Sequence, residues 1–413
     1  MELIDYVIYA SIYLGLVATT FYILTYFSSG KKERLLYKDN ELPKVSVIIP
    51  VYNEEKSIAG TLNSILTTNY PKEKFEVIVI NDGSIDRTLE IAKKFESRGV
   101  KVFSKKNGGK GSALNFGIKK AKGEIIFSMD ADTFVTPHSV KEMVRYFKDE
   151  RVMCASPSMI IYNPKNILQR IQSIEYLLGL FLRKTFASLN AVHVTPGAFS
   201  AYRKSFFNKY GGYDEKNITE DLELSLRIQS YGYIIENAPE APAYTIAPNT
   251  FFHLLKQRRR WYYGLMKNLW AYRKVISPKY GDMGMFVIPV AILSIFFAIF
   301  VTAYMFLKAI FNAKDELIFL SNINFDFKSV LHMNSYFIER LVFLFVTNPI
   351  VIFLGLFIIL SFFYLFYASK KIGKTSGLVI NVPLFFMFFA VLFGFWWIVS
   401  IVYVIFNRKI SWK

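Results

Sequence analysis

Apolar residues follow two patterns along this chain. Long uncharged runs occupy Tyr6–Gly30, Met283–Leu307, Leu341–Ser369 and Leu378–Asn407. A helix needs ~20 predominantly apolar residues to cross a bilayer, so each run is long enough to span one. Between the first and second runs the pattern shortens. Val45–Pro50, Phe75–Ile80, Val100–Phe103 and Glu124–Met129 are brief apolar stretches that predict buried strands. Lys56–Thr67, Thr88–Glu96 and Ser112–Lys120 carry helical spacing. Strands alternating with helices predict an α/β domain whose mostly parallel sheet is covered on both faces. Ligands of such sheets gather at the C-terminal ends of the strands. Beyond Asp132 the pattern is less regular. Asn166–Leu189 predicts a long helix, and Phe251–Ile276 mixes aromatic and basic residues as an amphipathic helix in a headgroup layer does.

Charge turns the runs into a topology. The first run is too long for a signal-peptide core, is preceded by Glu2 and Asp5, and lacks a small-residue cleavage site, so it reads as a retained anchor. Lys31, Lys32 and Arg34 follow it, and Lys370, Lys371 and Lys374 lie between the third and fourth runs. The positive-inside rule puts both clusters in the cytoplasm, which four spans allow; Arg408, Lys409 and Lys413 would then lie outside. The expected organisation is an anchor over 1–30 and a cytoplasmic α/β domain over 31–248. An amphipathic interface helix over 249–282 and three further spans with their loops over 283–413 complete it. This describes a multi-pass protein of the plasma membrane. The net charge of +18 is assigned to anionic lipid headgroups rather than to nucleic acid. A single cysteine, Cys154, rules out an intrachain disulfide.

The cytoplasmic stretch carries candidate chemistry. Asp130-Ala131-Asp132 ends a predicted strand, and residues i and i+2 of an extended chain point to one side. Two hard carboxylates so placed suit Mg²⁺ or Mn²⁺ completed by phosphate oxygens; a solvated strand-end turn would look the same. Asp82, in Asn81-Asp82-Gly83-Ser84, follows another strand end and could equally belong to a turn. Thr219-Glu220-Asp221 resembles a capped helix start with acids in its first turn. Gln257-Arg258-Arg259-Arg260-Trp261 suits either a snorkelling face or sugar stacking. His138, His193, His253 and His332 show no metal spacing and are expected to be structural. Lys105 and Lys106 are expected to be solvated loop charges, and Gly197 is a turn glycine or part of a loop near an acceptor.

Taken in order, Pro50-Val51-Tyr52-Asn53-Glu54, the Asp82 turn, Gly109-Lys110-Gly111-Ser112-Ala113-Leu114-Asn115, Asp130-Ala131-Asp132, Thr219-Glu220-Asp221 and Gln257–Trp261 resemble the inverting family 2 glycosyltransferases of the GT-A fold. More narrowly they resemble the membrane-embedded processive synthases of cellulose, chitin, hyaluronan and poly-N-acetylglucosamine. The resemblance covers roughly Lys44 to Trp270. It implies that Pro50, Tyr52 and Glu54 border the nucleotide, that Asp82 reads the uracil or its ribose, and that Lys110 sits beside the nucleotide. Asp130 would lie near the ribose and phosphates, with Asp132 the more direct ligand of Mn²⁺ or Mg²⁺. Asp221 would be the general base. Trp261 would stack on the acceptor sugar, with Gln257, Arg258 and Arg260 at the diphosphate or the acceptor. Nothing after Trp397 resembles an appended regulatory domain, and the stretch between the third and fourth runs resembles no gating-loop motif, so neither is expected. Both features favour the poly-N-acetylglucosamine or hyaluronan type over cellulose synthesis.

The expected activity is inverting transfer from a UDP-sugar to the end of a β-linked polymer, coupled to export and with room for an accessory membrane subunit. The rival is transfer of one sugar to a ceramide or polyprenyl phosphate in the bilayer. A non-catalytic membrane scaffold or channel is a third reading, but it needs none of these motifs.

Overall fold

The computed structural model describes residues 3–28, 37–324, 338–339, 342–344, 347–371 and 377–406. The chain divides into two units, one of residues 1–24 with 289–399 and one of residues 25–288 with 400–413. The basic residues Lys31, Lys32, Arg34, Lys374, Arg408, Lys409 and Lys413, and the start of the expected third run at Leu341, lie outside the described residues.

The larger unit is built on one sheet. Helix α1 (Leu3–Ser28), most of which belongs to the smaller unit, comes before strand β1 (Val45–Val51), helix α2 (Ile58–Leu66), β2 (Phe75–Asn81), α3 (Thr88–Lys93) and β3 (Val100–Ser104) in the chain. Then come α4 (Lys110–Lys120), β4 (Ile125–Met129), β5 (Thr133–Val135), α5 (Ser139–Val144), β6 (Val152–Ile161) and α6 (Ile167–Ser188). The unit continues through β7 (Phe199–Arg203), α7 (Lys204–Tyr210), α8 (Glu220–Ser230), β8 (Ile234–Thr245) and α9 (Phe251–Ala271). The strands form an eight-stranded sheet in the order β3-β2-β1-β4-β7-β6-β8-β5. β1 pairs in parallel with β2 and β4, β2 with β3, and β6 with β8. β7 runs antiparallel to both β4 and β6.

The expected strands and helices of the first half are present, with ends moved by one to three residues; α3 stops at Lys93 rather than Glu96. The strands from β5 to β8 lie in the less regular stretch, and β6 shows no alternation because both its faces are covered: all ten of its residues are buried. Two apolar clusters sandwich the sheet. One gathers Val47, Ile49, Leu62, Val79, Phe127, Phe147 and Phe199; the other gathers Ile48, Ile80, Leu114, Ile126, Tyr202, Phe206 and Leu224. Successive residues of β1 divide between the two, as side chains on alternating faces must.

The smaller unit consists of apolar helices. Among the described residues four helices, Ile4–Ser28, Met283–Asn322, Pro349–Tyr367 and Leu378–Ile405, are long and apolar enough to cross a membrane. The second runs past the expected end at Leu307: after a π-turn over Met283–Val287, helix α10 (Ile288–Asn322) continues through Lys308, Lys314 and Asp315. Helix α11 (Pro349–Lys371) and helix α12 (Leu378–Ile405) follow. Within this unit Phe385, Phe389 and Phe393 stack ring on ring along one side of α12.

Candidate functional site

The parallel pairing fixes where the chemistry collects. β1, β2 and β4 end on the same edge of the sheet, and Val51 pairs with Asn81 at that edge. Asp82 follows β2, and Asp130 and Asp132 follow β4. Because β7 is antiparallel to β4, its N-terminal end reaches the same edge, where the Asp130 N–H donates to the Ala198 carbonyl at 2.8 Å. The loop Thr195–Ala198 is thereby delivered beside the two aspartates.

A cavity of about 850 Å³ opens on this edge. Its wall includes Pro50, Tyr52, Glu54, Asp82, Lys110, Asp130 and Asp132 from the strand ends, and His253, Lys256, Gln257, Arg259 and Arg260 from α9. Acidic groups thus face a cationic helix across one space. The turn after β1 is held by Asn53, whose φ of 55° an asparagine tolerates. Its Oδ1 accepts from the Ile85 N–H at 2.9 Å, and its own N–H donates to Ser84 Oγ at 3.1 Å. That clasp sets the positions of Tyr52 and Glu54.

Asp82 is buried and engaged. Lys105 Nζ lies 2.6 Å from its Oδ1, and the Gly108 and Gly109 N–H groups donate to its carboxylate, the latter at 2.7 Å. Asp82 therefore shapes the turn that starts α4 as well as facing the cavity. Lys105 is a correction: the loop composition predicts a solvated charge, whereas its ammonium is mostly buried against Asp82.

Lys110 occupies the centre. Its Nζ lies 2.6 Å from Asp130 Oδ1 and 3.6 Å from Glu220 Oε1, and donates to the Gly197 carbonyl at 3.4 Å. Burial works against this charge, but Asp130, Glu220 and Asp221 outweigh it and raise the lysine above its ordinary range. Burial first, then the charges of Asp130 and Glu54, push Asp132 up to about 7. Such mutual repulsion among carboxylates is what a bound cation relieves. Among the described residues no group of three or more His, Cys, Asp or Glu side chains is arranged to hold a metal unaided. Asp130 and Asp132 fit a hard divalent ion whose remaining ligands are phosphate oxygens or water.

Asp221 lies at the start of α8. Its Oδ2 accepts from the Gly197 N–H at 2.9 Å and its Oδ1 from the Leu222 N–H at 2.8 Å. The acid serves the helix start and also turns toward the Lys110 cluster. Glu220 beside it is buried, and burial followed by its acidic neighbours raises it to about 7 against the pull of Lys110. Thr219 caps nothing with its side chain. Its Oγ1 instead accepts from Asn268 Nδ2 at 3.0 Å, and it lies so close to Gly264 that any Cβ there would collide with it. Asn217 and Asn268 exchange a further pair of hydrogen bonds, the shorter at 2.8 Å. The start of α8 is therefore pinned to α9.

Three of the expected residues lie outside the cavity wall: Asp221, Arg258 and Trp261. Arg258 is buried and forked onto Glu175, so it does not face the cavity as Gln257 and Arg260 do. Trp261 is half-buried, with the Arg258 guanidinium carbon 4.4 Å from its ring centre. Arg259 and Lys256, to which the sequence assigns no role, line the cavity, and so does His253, which is exposed there rather than a structural histidine of the core as expected. Their signal was available for two of them: His253, Lys256, Gln257 and Arg260 are spaced i, i+3, i+4, i+7, one face of a helix. His193 is half-buried, with Nδ1 3.1 Å from the Ala191 carbonyl.

Comparison with known proteins adds the following. The family model described as glycosyl transferase family 2 matches residues 46–211. The poly-beta-1,6-N-acetyl-D-glucosamine synthase of Staphylococcus aureus strain COL is 33% identical over 267 residues, 63% of this chain and 64% of that protein. The chain thus spans just under two thirds of that relative's length. The synthase of the same name from Staphylococcus epidermidis is 32% identical over 281 residues, 65% of this chain and 67% of that protein. Among solved structures, a mannosyltransferase from Pyrobaculum calidifontis in complex with GDP-Man and Mn²⁺ superposes with a TM-score of 0.57 at 19% identity, covering 89% of this chain and 98% of that one. At that identity the likeness shows the fold.

Proposed function

The chain belongs to the family 2 glycosyltransferases and has their GT-A fold, and from that premise we propose that it extends a β-linked N-acetylglucosamine polymer from UDP-N-acetylglucosamine at a membrane surface. One observation carries the reading: the carboxylates of Asp130 and Asp132 face the cationic side of α9 across a cavity large enough for a nucleotide sugar. The names of the Staphylococcus synthases supply the sugar.

Transfer is a single displacement. The acceptor hydroxyl oxygen bonds to the anomeric carbon as the bond from that carbon to the diphosphate breaks, with inversion. Asp221 takes the hydroxyl proton, a contribution of typically ~10²–10⁴-fold. Arg259, Arg260 and Lys256 stand on the wall where the departing diphosphate gains charge, and preoriented cations there stabilise the transition state. Asp130 and Asp132 would hold Mn²⁺ or Mg²⁺, which neutralises diphosphate charge when bound. Lys110, between Asp130 and Glu220, keeps these acids from repelling one another before donor and ion arrive. Tyr52, Glu54 and Asp82 border the nucleoside end. Gln257 and Trp261 are assigned to the acceptor sugar.

The four apolar helices support a multi-pass membrane protein, and the lysine clusters of the sequence support a cytoplasmic site. Labelling of a Lys371→Cys variant only from outside the cell would reverse that orientation. The activity is tested with the purified chain, Mn²⁺ or Mg²⁺ and a panel of UDP-sugars, following UDP release and product size. A polymer built from UDP-N-acetylglucosamine is the expected product. A single glycolipid would replace this reading with lipid glycosylation, and no UDP release from any donor would overturn it.

A further inference from the structure

Glu175 on α6 and Arg258 on α9 form a two-pronged ion pair, Nη1 to Oε1 at 2.7 Å and Nη2 to Oε2 at 2.6 Å. Arg258 is only 2% exposed. A buried ion pair is a poor source of stability, because desolvating both charges can cost more than their attraction returns. What it does supply is orientation: the fork fixes the guanidinium plane as no single hydrogen bond can. That plane lies against the Trp261 ring, 4.4 Å from guanidinium carbon to ring centre. Arg258 and Trp261 are three residues apart and share a face of α9, whereas Gln257 and Arg260 face the cavity. With about 100° per residue, Trp261 falls between the cavity side and the α6 side of the helix.

We propose that Glu175 is a positioning residue: through Arg258 it holds one face of the Trp261 ring, so that the other is set at the angle that receives the acceptor sugar. Glu175 serves transfer in this way only if Trp261 stacks on the acceptor, the role the glycosyl-transfer reading gives it. Glu175, Arg258 and Trp261 are all outside the cavity wall, so the pair touches none of the groups that border the nucleotide there.

The test uses the full chain in lipid nanodiscs with UDP-N-acetylglucosamine, Mn²⁺ and a β-linked N-acetylglucosamine oligosaccharide. Glu175→Gln removes the fork and keeps the shape. Because it leaves Arg258 buried without its carboxylate, the double variant Glu175→Gln/Arg258→Met is made beside it. A pair that served packing alone would be restored by that double change. Both variants are expected to raise the acceptor KM by about 10-fold or more, the scale of a misplaced binding group. UDP affinity by calorimetry should stay at the wild-type value. The Trp261 contribution to fluorescence, read as the difference between each protein and its Trp261→Phe counterpart, should shift in Glu175→Gln. A wild-type acceptor KM in the double variant, or an unchanged Trp261 contribution in Glu175→Gln, overturns the assignment. The fluorescence arm needs no turnover. A wild-type protein that neither binds UDP nor releases it would sink the glycosyl-transfer reading, and the emission would still decide whether Glu175 holds Trp261.

Discussion

The Gly197 backbone N–H donates to Asp221 Oδ2 at 2.9 Å, and a Cβ built on Gly197 would collide with that same carboxylate. The loop before β7 and the first turn of α8 are fitted to each other at one backbone atom. Gly197→Ala is expected to push the carboxylate away at a cost of about 1–3 kcal/mol, the range for overpacking. Transfer should fall by at least ~10-fold, while UDP affinity, read by calorimetry, stays near wild type. Equal losses of both would place the effect in the fold as a whole.

Asp132 and the nucleotide are separable from the base. Asp132→Ala removes one of the two carboxylates that follow β4. Mn²⁺ should then no longer strengthen UDP binding, whereas metal-independent UDP binding should persist. Calorimetry with and without Mn²⁺ measures the difference. Undiminished metal dependence in the variant would remove Asp132 from the ligand set.

Arg259 faces the cavity beside Arg260 and one turn from Lys256. If these cations receive the diphosphate, Arg259→Ala should weaken UDP by ~10-fold and weaken UMP less, because UMP presents one phosphate fewer. The difference should shrink as salt rises, as it does for solvent-reachable charges. Equal effects on UDP and UMP at all salt concentrations would put Arg259 elsewhere.

The sequence displays the first half of this site more clearly than the second. Asp82 and Asp130 follow apolar runs that end in turns, and the parallel sheet implied by the alternation is enough to bring them to one edge. The loop before β7 could not be placed the same way, because β7 is antiparallel and fully buried β6 shows no period. On α9 the residue order marked the motif but not its faces. Wheel geometry separates Gln257 and Arg260 from Arg258, yet the partner that draws Arg258 inward, Glu175, lies 83 positions earlier on another helix. Lys105 departs from its expected solvated state for a related reason: its partner Asp82 lies 23 residues before it, across a strand.

Glu220 and Asp221 are adjacent acids at the start of α8, and substitution separates their roles. Burial first, then Asp221 and Asp130, raise folded Glu220 from an ordinary 4.5 to about 7. A carboxyl raised on folding adds stability that is fully present below its unfolded value and is lost as pH rises through its folded value. In metal-free protein, the wild type should therefore lose thermal stability between about pH 4.5 and 7 relative to Glu220→Gln, which has nothing to ionise there. Transfer at neutral pH should depend on the other acid. Asp221→Asn keeps the size and suits a helix start, so the chain should fold. It removes the basic oxygen, and transfer should fall by ~10²-fold or more while UDP affinity holds. Glu220→Gln should keep more activity than Asp221→Asn. If the order is reversed, with Asp221→Asn elongating at near wild-type rate, Glu220 takes the proton and Asp221 serves only the helix start.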